Sequence, residues 1–328
     1  MNRNRLVCFT LGLILTGASE AQVARDLTLR VTDEAGAVLN GARVQVVFHG
    51  VGRDDVREGE TNERGEFSAN TAMTLGTWIR VEKEGYYPAF WGNDNAANVP
   101  VGKATMSVVL PQMRNPTALH AARMHYAKLP AQNEWLGFDL EVADWVSPHG
   151  RGKVADVRFR FFNEFKGWTP SEKKLTSARL ANPDKSETEM RFFYGKWSGV
   201  LELSFPNSKE GLIEKQENYW YYSELRLPHD APENGYQAGL RYEANTYELR
   251  PGKRLVGYFL RTRVKLDARG EIVSANYAKI YDEILFDPRG TVSFWYYFNP
   301  TPNDRNLEFD PAKNLFPVDF PGANVSER

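Results

Sequence analysis

From Asp26 onward, apolar residues recur at every second position over short runs separated by turn residues, and this period of two predicts strands. Leu27-Thr28-Leu29-Arg30-Val31-Thr32 is the first run, closed by the turn Asp33-Glu34-Ala35-Gly36. Residues 42–48, a turn at 61–65 leading into Phe67, residues 77–83 and residues 104–110 continue the series, with Gly65 read as a positive-φ turn position. A second group of runs lies at 153–162, 191–194, 199–205, 218–227, 255–266, 272–285 and 291–298. Asp267-Ala268-Arg269-Gly270 and Asp287-Pro288-Arg289-Gly290 sit between the last three at hairpin spacing, which predicts an antiparallel meander. Only 171–180 predicts a short polar helix, and without strand–helix alternation no parallel sheet is expected. Pro111, Pro116 and Pro130 mark 113–134 as a linker carrying exposed His120 and His125, whose spacing of five does not suit one helix face. The expectation is an all-β chain: a sandwich at 26–112, then a larger antiparallel β-sandwich at 135–328.

Face parity within these strands supplies the functional expectation. On the run 219–227, taken as a central strand, Trp220, Tyr222, Glu224 and Arg226 share one face. Arg261, Arg263 and Lys265 share a face of the next strand, Tyr277, Lys279, Tyr281 and Glu283 of the one after, and Trp295, Tyr297 and Asn299 of the last. If these faces coincide, they form a wet surface of rings, guanidinium groups and hydroxyls suited to a glycan or another cell-surface polymer. Cross-strand packing of solvent-facing Arg, Lys and aromatic residues is the plainer alternative. Near the end of the chain Asp304, Asn306, Glu308 and Asp310 alternate like the oxygens of a calcium loop. Phe309 stands where an EF-hand-like turn wants glycine, so ion pairs to Arg261, Arg263 and Lys265 are the preferred reading.

Composition narrows the compartment and the partners. Arg3 and Arg5, an apolar stretch at 6–16 and Ser19-Glu20-Ala21 read as an export signal spanning 1–21, and the stretch is shorter than the roughly 20 residues that cross a bilayer. The mature chain is therefore expected in the periplasm or outside the cell, without a membrane span. The single cysteine, Cys8, lies inside that signal, which leaves no disulfide, thiolate metal site or cysteine nucleophile. Of 41 basic and 42 acidic residues the signal takes two and one, leaving 39 against 41; no cationic excess points to nucleic acid. At 328 residues there is length for two domains, and the 13% aromatic content favours β structure or a stacking surface.

Val31-Thr32-Asp33-x-x-Gly36, Gly41-Ala42-x-Val44, Thr61-x-x-x-Gly65-x-Phe67 and Val81-x-Lys83-x-Gly85-Tyr86 together resemble the carboxypeptidase regulatory-like domain. The resemblance covers 26–112 and implies a transthyretin-like or immunoglobulin-like sandwich without peptidase activity. An insert at 89–102, with Phe90-Trp91-Gly92-Asn93-Asp94-Asn95, departs from it and is read as a decorated turn. Ser223-Glu224-Leu225-Arg226 and Tyr277-Ala278-Lys279-Ile280-Tyr281 resemble fragments of the jelly-roll alginate lyases. That resemblance implies a jelly-roll-like larger domain, Arg226 as the group neutralising a uronate, and Tyr277 or Tyr281 as proton donor or base. Tyr222 replaces the family's preceding arginine, and no Q-x-H is present, leaving His229 as the substitute base. A hydrolase would instead use a carboxylate pair such as Glu224 and Glu283. G-x-S-x-G, H-E-x-x-H and a phosphate loop are all missing from the sequence, and no cofactor is implied.

Overall fold

The computed structural model describes residues 23–50, 52–93, 102–169, 171–216, 223–247 and 257–325. The expected export signal, Trp220 and Tyr222 lie outside the described residues, as does most of the 89–102 insert. The chain divides into two compact units. The smaller comprises Val38–Val81, Phe90–Ser107 and the chain up to Val31; the larger comprises Thr32–Ala37, Glu82–Ala89 and everything from Val108.

In the smaller unit β1 (Val23–Thr32), β4 (Glu66–Thr74) and β7 (Gly102–Val109) form one sheet in the order β4-β1-β7. The strands β2 (Arg43–His49), β3 (Asp55–Glu60), β5 (Gly76–Glu82) and β6 (Ala89–Asn93) form the other, ordered β3-β2-β5-β6. The two-residue period explains the core: Leu27, Leu29 and Val31 from β1, Val44, Val46 and Phe48 from β2, and Ile79 and Val81 from β5 are all buried. Gly65 takes φ +69° in its turn, and a Cβ there would sit 2.6 Å from the Val31 carbonyl oxygen, so the turn admits only glycine.

The larger unit stacks two five-stranded antiparallel sheets. One orders β10 (Asp144–Trp145), β9 (Leu136–Asp139), β11 (Val157–Trp168), β12 (Gly195–Ser204) and β14 (Gly239–Asn245). The second runs β13 (Gly211–Lys215), β15 (Gly257–Leu266), β16 (Ile272–Asp287), β17 (Thr291–Asn299) and β8 (His120–Lys128). Phe138, Phe159, Phe161 and Leu201 from the first sheet meet Leu260, Ile280, Phe294 and Phe298 from the second in one buried layer.

Three expectations change. The stretch 113–134, expected as a linker, carries β8, the edge strand of the second sheet. Its outer edge is covered by the C-terminal segment: the Arg123 N–H donates to the Gly322 carbonyl at 2.8 Å, and Asn314 bonds both backbone groups of Ala121. Residues 191–194, read as strand from their aromatics, end helix α2 (Glu187–Tyr194), which follows α1 (Glu172–Ala181). A capping box starts α2, with Ser186 Oγ accepting from the Glu189 N–H at 3.2 Å and Glu189 Oε2 accepting from the Ser186 N–H at 2.7 Å. Finally, the described part of 218–227 is no central strand: Ser223 makes a single bridge to Ala89, and the segment continues irregularly through Leu227.

Candidate functional site

Register places the predicted face as rows across four strands. The first row runs Gly257, Tyr281, Trp295, Arg123; the second Phe259, Lys279, Tyr297, Ala121; the third Arg261, Tyr277, Asn299. Rows two and three are not wet. Leu119, Leu227, Ala231, Leu307, Phe309 and Val325 pack onto them and bury Tyr277, Lys279 and Tyr297. The covering segments bond to one another, with the Leu307 N–H donating to the His229 carbonyl (2.7 Å) and the Thr117 N–H to the Glu308 carbonyl (2.8 Å). At the margin Gly257, φ +154°, lets Leu227 lie over the first row; a Cβ there would meet the Ile280 carbonyl oxygen at 2.2 Å.

Lys279 is fully buried. Its Nζ donates to the Tyr281 hydroxyl at 2.9 Å and lies 4.7 and 4.8 Å from the ring centroids of Tyr281 and Tyr297. Burial pushes the ammonium down to about 7, against an opposing pull from the Glu308 carboxylate. Glu308 is itself buried; Oε1 accepts from the Tyr87 hydroxyl and the Arg114 N–H, both at 2.8 Å, and Oε2 from the Asn115 N–H at 2.6 Å. His229, read as a loop base, is buried with Nε2 3.8 Å from Glu308 Oε1 and 2.8 Å from the Gln112 carbonyl oxygen, so Nε2 carries a proton and donates.

The tail's oxygens are committed to the protein. Asp304 accepts from Asn299 and from the Asn306 N–H, Asn306 accepts from the Glu308 N–H, and Asp310 caps the short turn Pro311–Lys313. Among the described residues no cluster of His, Cys, Asp or Glu is arranged to hold a metal ion. The expected ion pairs to the Arg261 row are also replaced. Arg261 donates to the Lys209 and Glu233 carbonyls and covers the Tyr236 ring at 4.3 Å. A bulge after Thr262, with Arg263 at φ +52°, turns Arg263 to the opposite side of the sheet. There its guanidinium binds Asp156 (2.8 and 2.9 Å), Asp139 (3.0 Å) and Glu141, and covers Phe298 at 4.7 Å. Burial raises the Asp156 carboxyl, and Arg263 opposes the rise.

Row one remains open where two irregularities coincide. The β16–β17 register shifts between Tyr281 and Leu285, with Asp282 at φ +57°, and the β17–β8 register shifts between Val292 and Phe294, beside Tyr126 at φ +48°. Splayed side chains there enclose a cleft of about 400 Å³ walled by Tyr281, Asp282, Glu283, Trp295, Arg123, His125 and Tyr126. The Arg123 guanidinium lies over Trp295, 4.4 Å from its ring centroid, while Tyr126 is 59% exposed. Arg226 Nη1 meets Asp282 Oδ2 at 3.0 Å, and its guanidinium is 5.8 Å from the Tyr281 ring.

Arg226, Lys279, Tyr281, Tyr297 and Trp295 are thus gathered around row one and its buried neighbour, whereas Arg261 and Arg263 are drawn elsewhere. Glu224 anchors its backbone N–H on the Pro88 carbonyl at 3.0 Å and is not part of the cleft wall, while its expected partner Glu283 is. Arg123, His125 and Tyr126 were missed because the flanking prolines masked their strand; the alternation of Arg123 and His125 with the core-facing Ala122 and Met124 was the signal for it.

No family model matches the chain, and no curated protein matches it. Similar solved structures include 3-chlorocatechol 1,2-dioxygenase from Rhodococcus opacus, at 13% identity over 30% of this chain and 62% of that one, TM-score 0.25. A candidate carbohydrate-binding protein from Bacteroides uniformis matches at 10% over 85% and 98%, TM-score 0.20. A DUF3823 family protein from Parabacteroides merdae matches at 8% over 83% and 96%, TM-score 0.22. The chain spans less than two thirds of the length of the dioxygenases it matches. No score among them reaches 0.5, and the fold and the site stand on the chain's own strands and side chains.

Proposed function

We propose that this is an exported protein that binds a glycan or another cell-surface polymer in the cleft between β8, β16 and β17. One observation carries the reading: a concave site of about 400 Å³ combines an exposed ring, Tyr126, with a guanidinium, Arg123, lying over Trp295. Ligand sites typically occupy roughly 300–1,000 Å³ and pair apolar surface with a few fixed polar groups, and a sugar's C–H face fits a flat ring. The basic, apolar and small-residue order of 1–21 supports export, and the motifs at 26–112 support a carboxypeptidase regulatory-like spacer module. The test is a glycan array read with wild type, Tyr126→Ala and Trp295→Ala. Retention on the wild type that both variants lose supports the cleft; equal retention by all three removes it.

A second reading, polysaccharide cleavage, is favoured by the Lys279–Tyr281 pair. An amine near pH 7 at 2.9 Å from a hydroxyl in the cleft wall is suited to proton transfer at neutral pH. Incubating each retained glycan with protein and assaying for new chain ends decides it: no cleavage leaves binding alone.

A further inference from the structure

Away from the cleft, the connection between β11 and β12 carries an uncovered surface. β9 leaves β11 at Phe159 and β14 leaves β12 at Ser198, so the two strands run on as a ribbon of their own to Trp168 and Gly195, where α1 and α2 join them. The Thr169 N–H donates to the Tyr194 carbonyl at 2.8 Å, and Arg179 meets Glu187 at 3.1 Å, so the first turn of α1 lies beside the last of α2. Leu175 and Met190 are buried, one from each helix, but Leu180, Phe192 and Phe193 are 78%, 40% and 55% exposed. Single exposed apolar side chains are ordinary; these come with an ordered set of cations. Lys185 lies 4.9 Å from the centre of the Phe193 ring, Arg289 5.2 Å from Phe192, Arg191 4.9 Å from Phe165 and Arg179 5.3 Å from Trp168.

Charge is segregated to the same segment. Of the chain's 41 basic and 42 acidic residues, 166–197 hold seven and four, leaving 34 and 38 elsewhere. Glu187 is shared by Arg179 and Arg191, and Glu189 is committed to the capping box. Among the described residues no carboxylate pairs with Lys173, Lys174 or Lys185. A lipid interface accommodates this combination: rings settle at the boundary between headgroups and acyl chains, and lysine stems run along them and lift their charges to the phosphates.

We infer that the α1–α2 hairpin docks the protein on an anionic phospholipid surface, with Phe192 and Phe193 entering the interface and Lys173, Lys174 and Lys185 meeting the phosphates. The hairpin lies on the bilayer and does not cross it, since its helices have ten and eight residues where roughly 20 are needed. This surface is separate from the glycan-binding cleft, and Tyr126→Ala should leave it unchanged.

Flotation of the full chain tests this with vesicles of phosphatidylcholine alone and vesicles containing about one third phosphatidylglycerol. Wild type should bind the anionic vesicles about tenfold or more tightly, and the difference should shrink as salt is raised. Lys173→Ala/Lys174→Ala should weaken that binding by about twenty-five-fold, about fivefold per charge, whereas Lys153→Ala/Lys209→Ala, a pair of exposed lysines elsewhere, should not change it. Phe192→Ala/Phe193→Ala should weaken it by about tenfold or more. Lys173 and Lys174 are exposed, so the melting temperature of their variant should match wild type; it separates lost docking from lost folding and lets this pair decide the matter if the phenylalanine variant unfolds. Equal binding to the two kinds of vesicle would overturn the anionic class, and equal losses from the two lysine pairs would overturn the assignment to this hairpin. A solution dimer that Phe192→Ala/Phe193→Ala dissolves, with no vesicle binding, would give the surface to a second copy of the chain and reject the lipid.

Discussion

Replacing Lys279 by methionine should flatten the dependence of stability on pH above neutrality. In the folded chain the ammonium is fully buried against Tyr281 and Tyr297, and burial brings it from an ordinary 10.5 to about 7. The unfolded chain therefore holds a proton on Lys279 that the folded chain has released between pH 7 and 10.5. Unfolding free energy rises with pH wherever the unfolded state binds more protons, so the burial penalty is fully present below pH 7 and is relieved as pH climbs towards 10.5. At 1.36 kcal/mol per pH unit the whole difference corresponds to about 5 kcal/mol, and the part between pH 7.5 and 9 to about 2 kcal/mol. Burial also shifts the phenols of Tyr242, Tyr258 and Tyr296, and of the partly buried Tyr236, upward; these work in the opposite direction near pH 10, which is why the window stops at 9.

Urea denaturation at half-unit steps from pH 7.5 to 9 measures this directly. Wild type should gain about 2 kcal/mol across the window relative to Lys279→Met, whichever protein is more stable in absolute terms. The slope is the informative quantity, because methionine also leaves the Tyr281 hydroxyl without its amine partner, a loss of about 1–3 kcal/mol that does not vary with pH over this range. Parallel curves for the two proteins would mean that Lys279 keeps its proton throughout, and the burial argument would fail.

Three further substitutions probe the frame around the cleft. Arg263→Met should cost about 3–5 kcal/mol in urea denaturation at pH 7, because it leaves the buried Asp139 and Asp156 carboxylates without their cation; an unchanged midpoint would show that the bulge is not held by these pairs. Gly257→Ala places a Cβ 2.2 Å from the Ile280 carbonyl oxygen at φ +154° and should lower stability by more than about 1 kcal/mol, whereas Gly270→Ala, in an open turn at φ +79°, should cost about 1 kcal/mol from backbone strain alone; equal losses at the two sites would count against the clash. Phe309→Ala removes the ring packed at a tilt 5.2 Å from Tyr297 and should cost about 3–5 kcal/mol while speeding hydrogen exchange at Lys279 and Tyr297; exchange unchanged there would deny that the tail covers the sheet.

Alternation in the sequence revealed β15, β16 and β17 because residue types differ between the two sides, Ala278 and Ile280 against Tyr277, Lys279 and Tyr281 on β16, and register keeps Lys279, Tyr281, Trp295 and Tyr297 in the neighbouring rows that parity drew. It misjudged what that side faces. The side is a second core, and among the residues that make it so, Leu307 and Phe309 alternate with the polar Asn306 and Glu308; the sequence reading laid this tail on the sheet through its oxygens, whereas it is the apolar set that packs there. Parity also carries no memory of an inserted residue. At Arg263 and Asp282 a non-glycine residue adopts positive φ; the first bulge turns Arg263 away from Arg261, and the second lies where the β16 wall of the cleft begins. Neither position holds glycine; Asp282 is of a type that tolerates positive φ, Arg263 is not, and a reading built on period two registers neither. Their placement explains why the open part of the face is small. The tail covers the sheet where the ladders are regular and side chains stand in rows; where two neighbouring ladders lose register together, the walls splay into a cleft. Arg123, Tyr126 and Trp295 are therefore positioned by the failure of the pattern that revealed the strands: between the pairs Tyr281–Trp295 and Leu285–Ser293 β16 advances four residues while β17 advances two, and the excess chain at Asp282 and Glu283 forms the wall.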